Sequence, residues 1–262
     1  MKFVVVNDIH ANSVALKEFM VGLRNINFDK LIFLGDALTY GVDVKETIDL
    51  LHRLEEKYDC VFIKGNHEQI YFDYQNNENY QYKKFPNFLL ESILHSAEQL
   101  SFILEDEFEW VNSFCYKGVI FSHANLFEYS NWSYLNTETD FQSNYNILVS
   151  SKLRGAIFGH THRAKYKKYK GGVVDYNILE LPIHQTLSFS SNDIFLVTNG
   201  SLGQPRGSVS SFLTCDINST EVAITSIPLS YDIALHCQSI TESSLTASTK
   251  EKLLKYYDKV LP

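Results

Sequence analysis

Asp8-Ile9-His10-Ala11-Asn12 follows the apolar run Phe3-Val4-Val5-Val6, and Gly35-Asp36 follows the next one, Leu31-Ile32-Phe33-Leu34. Between them, Ser13–Leu23 carries Val14, Ala15, Leu16, Phe19, Met20 and Leu23 at helical spacing, with Asn12 or Ser13 placed to cap it. The rhythm then repeats. Val44–Lys57 sets Ile48, Leu51, Leu54 and the following Tyr58 on one stripe, and Val61-Phe62-Ile63 comes next. Apolar runs that are rich in β-branched and aromatic residues and do not alternate suit strands buried on both faces. This βαβαβ opening predicts an α/β fold with parallel strands and helices outside them.

Outward from that opening, Val119-Ile120-Phe121, Ala156-Ile157-Phe158 and Ile194-Phe195-Leu196-Val197 continue the strand series, and residues 208–227 read as two final strands. Residues 69–110 break the rhythm. Tyr71 to Tyr82 is rich in Tyr, Asn and Gln, and Phe88 to Leu104 reads as a helix. Together they are expected to form a cap-like insertion at about 69–115. Residues 125–145 read as a long polar and aromatic loop, a kind of segment that often carries function. Lys165 to Lys170 reads as a solvated hairpin. Thr249 to Leu261 reads as an exposed amphipathic helix within a C-terminal helical stretch at about 247–261. Neither a repeat nor a linker divides the chain, so one domain over 1–262 is expected.

Composition narrows the function classes. The chain has 262 residues, 45% apolar, with a formal charge of −8 and a pI near 5.6. A net anion disfavours a general nucleic-acid or membrane-surface binder, although bound cations reverse the field locally. No basic and apolar leader precedes the first strand, and no apolar run reaches the ~20 residues that span a bilayer. Cys60, Cys115, Cys215 and Cys237 form no CxxC pair. Cys60 and Cys115 are expected to be small core hydrophobes, and a reduced, cytoplasmic setting is expected.

Chemistry-bearing residues cluster where the apolar runs end. Asp8 and His10 follow the first, Asp36 the second, Asn66 and His67 the third, His123 the fourth, and His160 and His162 the fifth. Ligand sites of open α/β sheets lie at the carboxyl ends of strands. Five runs thus deliver carboxylate, imidazole and amide oxygen to one edge, a donor set for hard to borderline dications. Asp8 and His10, like His160 and His162, share the period of a strand, so each pair is expected to point one way. The glycines before Asp36, Asn66 and His160 are expected to turn the backbone sharply. Each piece alone is weak, since a lone histidine is more often structural than a ligand. Five pieces in order carry the inference.

That order resembles the calcineurin-like metallophosphoesterases: D-x-H (Asp8-Ile9-His10), GD (Gly35-Asp36), GNH-E (Gly65-Asn66-His67-Glu68), a single H (Ser122-His123) and GHTH (Gly159-His160-Thr161-His162). Longer stretches are similar to a bacterial and archaeal phosphodiesterase-like branch. Asp8 to Asn12 resembles its DIHGN, with Ala11 in place of Gly. Gly35 to Gly41 resembles its GD-x-x-x-YG, and Gly200 to Arg206 its GSVGQPR. The likeness runs from residue 1 to about 216, weakly over 69–115 and 125–150.

The resemblance implies a four-layer α/β/β/α sandwich with a helical insertion. It implies two divalent metal ions, manganese first, with iron, zinc, nickel or magnesium as alternatives. Asp8, His10, Asp36 and His162 would hold one ion; Asp36, Asn66, His123 and His160 the other, with Asp36 shared. A hydroxide bridging the ions would attack phosphorus, and His67 would protonate the leaving group. Thr39 and Tyr40 stand where the family's protein phosphatases carry Asp-Arg, which disfavours a phosphoprotein substrate. A phosphodiesterase acting on a small phosphoester is expected. A phosphomonoesterase and a metal-binding regulatory protein of low activity are the alternatives, and a nuclease is disfavoured. Arg206 has two readings, a phosphate contact or a salt bridge within its loop. The aromatic segments 71–88 and 127–145 serve either packing or stacking on a base. The oligomeric state stays open.

Overall fold

Strand β1 (Lys2–Val6) and helix α1 (Ser13–Leu23) begin a chain whose computed structural model describes residues 1–76, 84–128, 130–170, 173–174, 177–206 and 209–258. Next come β2 (Lys30–Phe33), α2 (Val44–Lys57), β3 (Cys60–Ile63), α3 (Asn66–Gln75) and α4 (Asn87–Gln99). Two short strands, β4 (Trp110–Val111) and β5 (Ser113–Tyr116), lead to β6 (Val119–Ser122), α5 (Glu138–Ser150) and β7 (Gly155–Phe158). Then follow β8 (Lys165–Lys170), β9 (Val173–Val174), β10 (Leu179–Glu180), β11 (Thr186–Ser190) and β12 (Asp193–Thr198). The hairpin β13 (Ser210–Ile217) and β14 (Glu221–Leu229) precedes α6 (Ile233–Glu242) and α7 (Ala247–Leu254).

The strands form two sheets. One runs β11-β14-β13-β1-β2-β3-β4; the other runs β10-β8-β12-β7-β6-β5, with β9 paired to β8. Strands β1 to β4 are parallel, and so are β6, β7 and β12. Alternation within each strand then sorts the side chains into layers. Val4, Val6, Leu31 and Phe33 pack with Leu16 and Phe19 of α1 and Leu51 and Leu54 of α2. Phe3, Val5, Ile32 and Leu34 meet Phe121, Ile157, Phe195 and Val197 between the sheets. Ala156, Phe158 and Leu196 face the other way, onto Phe141 and Leu148 of α5. Helices, sheet, sheet, helix make the four layers. The opening strands show no hydrophobic alternation because both of their faces are covered.

Several expectations need correction. Helix α5 begins at Glu138, inside the segment read as loop, because Thr137 and Asp140 cap its first turn reciprocally. Residues 165–170 do pair with the next strand, β9, but they form a strand inside the second sheet, beside β12, and are not a solvated hairpin. There Lys167 is buried and pairs with Glu138, which satisfies the charge that the strand hides. Helix α4 ends at Gln99, five residues before Leu104. The C-terminal helix is amphipathic with one exposed face, but it ends at Leu254; Leu253 and the following Tyr257 are buried, and α6, absent from the sequence reading, packs with α7. Cys115 is exposed and Cys60 only half-buried; Cys215 is the buried thiol. Strands β4 and β5, at the end of the 69–115 segment, pair into the two sheets. Residues 77–83 and 259–262, within the tyrosine-rich segment and the terminal helix as read from sequence, lie outside the described residues.

Phe121 is fully buried between the sheets, in contact with the Phe3 and Phe114 rings. Phe121→Ala should lower the unfolding free energy by about 3–5 kcal/mol in denaturant titration. A loss below ~1 kcal/mol would contradict the packed inter-sheet core.

Candidate metal centre

The parallel strands of both sheets end at one edge, and there the chain turns through left-handed backbone. Eight of the twelve non-glycine residues with positive φ among the described residues lie in three of these loops: Asp8, His10, Ala11, Asp36, Thr39, Tyr40, His160 and His162. Such conformations are costly for side-chain-bearing residues and cluster at functional sites. They also revise the expected geometry. Asp8 and His10 converge because both sit at φ 52°, beyond the end of β1, and not through strand alternation. Of the three glycines, Gly35 has φ 85°, whereas Gly65 has φ −96° and serves another need. A β-carbon on Gly65 would run into the Asp36 carboxylate.

The side chains gather in two groups. His162 Nε2 lies 3.2 Å from His10 Nε2 and 3.4 Å from Asp8 Oδ1. His123 Nε2 lies 3.1 Å from both Asn66 Oδ1 and His160 Nδ1. Asp36 Oδ2 stands between the groups, 3.3 Å from His123 Nε2 and 3.9 Å from His10 Nε2. All seven residues expected to bind metal are therefore brought together. His67 is there too, its Nε2 also 3.9 Å from Asp36 Oδ2.

Each histidine and carboxylate donor has one atom tied to the fold and one turned inward. His10 Nδ1 bonds Leu38 O at 3.0 Å, His162 Nδ1 bonds Gln204 O at 2.7 Å, and His160 Nε2 bonds Trp132 O at 2.9 Å. His123 Nδ1 bonds Leu34 O. A ring nitrogen that meets a carbonyl must donate, so the inward nitrogen of a neutral ring is a lone pair. The carboxylates follow the same plan. Asp36 Oδ1 accepts from His67 N at 2.9 Å, and Asp8 Oδ2 accepts from His160 N at 3.0 Å and from Asn7. Asp8 Oδ1 is buried without a hydrogen-bond partner. Lone pairs facing lone pairs in a dry site call for cations, and three overlapping groups among the described residues have the spacing to hold an ion: Asp8, His10 and His162; Asp36, His123 and His160; and His10, Asp36 and His67.

The family model for calcineurin-like phosphoesterases matches residues 1–164. The chain belongs to the calcineurin-like phosphoesterase family. It is accordingly a phosphoric ester hydrolase of a metal-dependent family, and its two-sheet sandwich is that family's fold. An uncharacterized protein of Methanocaldococcus jannaschii is 25% identical over 260 residues, covering 95% of this chain and 96% of that one. The crystal structure of a metallophosphoesterase from Sphaerobacter thermophilus superimposes with a TM-score of 0.75 at 20% identity, covering 98% of this chain and all of that one. A hypothetical protein from Pyrococcus horikoshii gives a TM-score of 0.68 at 14% identity, covering 96% and 97%. No helix among the described residues is long and apolar enough to cross a membrane.

Electrostatics of the phosphoesterase site follow from burial. Desolvation drives His10 and His162 well below the usual imidazole range and His160 down to about 3. Burial also raises Asp8 to about 7. Burial opposes charge on His123 as well, but Asp36, joined by Asp8 and the Leu34 carbonyl, outweighs it and carries His123 up to about 9. Without metal, a proton on His123 thus supplies the cation that Asp36 requires.

Three contributors escaped the sequence reading. Glu68 accepts hydrogen bonds from Asp36 N, Ala37 N and Gly65 N at 2.7–2.8 Å, clamping two loops together. Thr39 Oγ1 meets His67 Nδ1 at 2.8 Å and Tyr71 Oη at 2.6 Å, which fixes the His67 ring. Glu68 was visible as part of the GNH-E motif; Thr39 and Tyr71 carry no local signal. Of the aromatic segments, Tyr71 and Phe72 are core, whereas Trp132 and Tyr134 line a cleft of about 370 Å³ with Asp36, His67 and His160.

Metal held by His123 and Asp8 would compete with protons for His123 below about pH 9 and for Asp8 below about pH 7. Affinity for manganese should therefore climb as pH rises from 6 to 9, with proton release on binding. Calorimetry in buffers of different ionisation enthalpy measures that release, and a pH-independent affinity without it would contradict the charge assignment.

Proposed function

We propose that the chain is a dinuclear-metal-dependent phosphodiesterase acting on a small phosphoester, with Asp8, His10, Asp36 and His162 around one ion and Asp36, Asn66, His123 and His160 around the other. The observation that carries this reading is the shared position of Asp36 Oδ2 between two donor groups whose histidines and carboxylates are tied to the fold through their other atoms. The mixed oxygen and nitrogen donors suit manganese, and iron or zinc as well. Ions held there supply Lewis acidity and an acidified water as nucleophile.

The protein's own residues account for the rest. Asp36 keeps both groups in register through its bond to the first turn of α3. His67 presents Nε2 to the cleft while Thr39 holds Nδ1, the arrangement of a ring that donates a proton to a leaving alkoxide. Burial lowers the His67 pKa, opposed by Asp36, so the proton is held on the acidic side of the ordinary imidazole range. Beyond His67 the cleft continues along Ile70, Phe85 and Leu89. That apolar wall gives the second substituent of a diester a place to lie, and it favours the diester over the phosphomonoester reading.

Chelated protein reloaded with manganese should hydrolyse bis(p-nitrophenyl) phosphate faster than p-nitrophenyl phosphate. The reverse order would favour the monoesterase, and silence toward both with every candidate metal would end the hydrolytic reading. Asp36→Asn should cost more than the roughly 10–100-fold that loss of an outer-shell partner costs. Near-parental turnover in a metal-loaded variant would remove its shared role. His67→Ala should retain both metals and slow alkyl esters by about 10²–10⁴-fold while sparing p-nitrophenyl esters. The gap between variant and parent should narrow as pH rises, because a neutral ring has no proton to give. Loss of metal from the variant would instead make His67 a ligand.

A further inference from the structure

Arg206 lines the same cleft, and no carboxylate among the described residues comes within 4.0 Å of it. The salt bridge within its loop is therefore absent. Nη1 donates to Tyr134 Oη at 3.3 Å, and Nε is buried without a partner. Two rings frame the guanidinium, whose carbon lies 6.0 Å from the Tyr134 centroid and 5.7 Å from that of Tyr256. Each ring leads back to the metal centre. Tyr134 stacks on His160 at 4.3 Å and 12°. Tyr256 meets the edge of Tyr40 at 5.8 Å, and Tyr40 in turn packs against His10 and His67.

A largely buried guanidinium costs free energy unless an anion pairs with it, and ring contacts recover only part of that cost. Here the rings fix position and leave most of the N–H groups unclaimed. Cations at the neighbouring groups would add repulsion, so the anion that completes the balance must come with the substrate. The planar donor fork matches phosphoryl oxygens. We propose that Arg206 recognises the phosphoryl group of the substrate, donating to its nonbridging oxygens, and that Tyr134 and Tyr256 position it. This rests on the phosphoesterase reading of the same cleft.

The test is calorimetric titration of the manganese-loaded full-length chain with inorganic phosphate. Arg206→Gln should weaken phosphate binding by about 10–100-fold with unchanged metal content and Tm. Arg206→Lys should regain only part, because an ammonium lacks the fork. In steady state, KM should rise more than kcat falls. Equal phosphate affinity in parent and Arg206→Gln would overturn the proposal while leaving the hydrolase intact. Weak phosphate binding by the parent would overturn it too. Loss of metal or a fall in Tm in both variants would make Arg206 a structural residue and overturn it as well. Weakened phosphate binding in the variant, with no ester hydrolysed by the parent, would support the anion site and remove the phosphodiesterase reading.

Discussion

The Asp36 carboxylate divides its two oxygens between the fold and the site. Oδ1 takes the His67 N–H at the start of α3, where the helix dipole favours negative charge; Oδ2 faces both donor groups. A second buried carboxylate, Glu68, sits on the other side and takes three N–H groups, including Asp36's own. Burial followed by Asp36 raises Glu68 to about 7, so the two acids oppose each other's ionisation. A cation beside Asp36 resolves the conflict. The proton on His123 plays that part in the bare protein, and the proposed ions play it more strongly. The two loops meeting at Asp36 thus depend on one balance of charge.

The backbone bears a matching cost. Left-handed residues cost on the order of 1–3 kcal/mol each, and they persist only where their surroundings over-determine them. Here the surroundings are ladder bonds that outlast the strands. Asp8 N donates to Gly35 O, His10 N to Asp36 O and Ala11 N to Ala37 O at 2.7–3.1 Å, carrying the β1–β2 pairing into the loops. Gly159 N donates to His123 O at 2.8 Å, which couples the corresponding loops of the other sheet. Behind them lie three layers of buried side chains. The sandwich therefore does more than display its ligands: its packing holds the turns in conformations that they would leave in isolation.

The same contrast explains what could be read from the chain. Helices α1 and α2 and the first three strands were legible because propensity and period agree there, and at α1 the cap does too: the Asn12 side chain accepts from Ala15 N. The residues at the strand ends were legible as a set because topology alone carries them to one edge. Strand β8 was not, since Lys-Tyr-Lys-Lys-Tyr-Lys looks solvated until Glu138 arrives from α5 to pair with Lys167. Helix α5 was hidden by a polar first turn whose buried face amounts to little more than Phe141, Asn144 and Leu148. The reason Asp8 and His10 converge was misread for a related cause: left-handed φ is imposed by long-range hydrogen bonds that no dipeptide announces.

The far end of the chain shows where motif ends and individual site begins. The family match stops at residue 164, yet Gln204 O orients His162 and Arg206 enters the cleft from beyond it. That loop is held from the tail. Gly203 O accepts from Asn12 Nδ2 at 2.8 Å and from Tyr257 Oη at 3.0 Å, and His236 meets the same Tyr257 hydroxyl at 2.9 Å. Tyr256, next in the chain, flanks Arg206. Helices α6 and α7 and the turn after them thus brace the loop that orients His162 and provide one ring of the aromatic frame. The seven proposed donors lie within the matched residues 1–164, and so do Ile70, Leu89, Trp132 and Tyr134 of the cleft, whereas Arg206 and the flanking Tyr256 come from beyond them. The tail therefore reaches the proposed substrate cleft through Arg206 and the Tyr256 that flanks it, beside cleft residues from the matched segment.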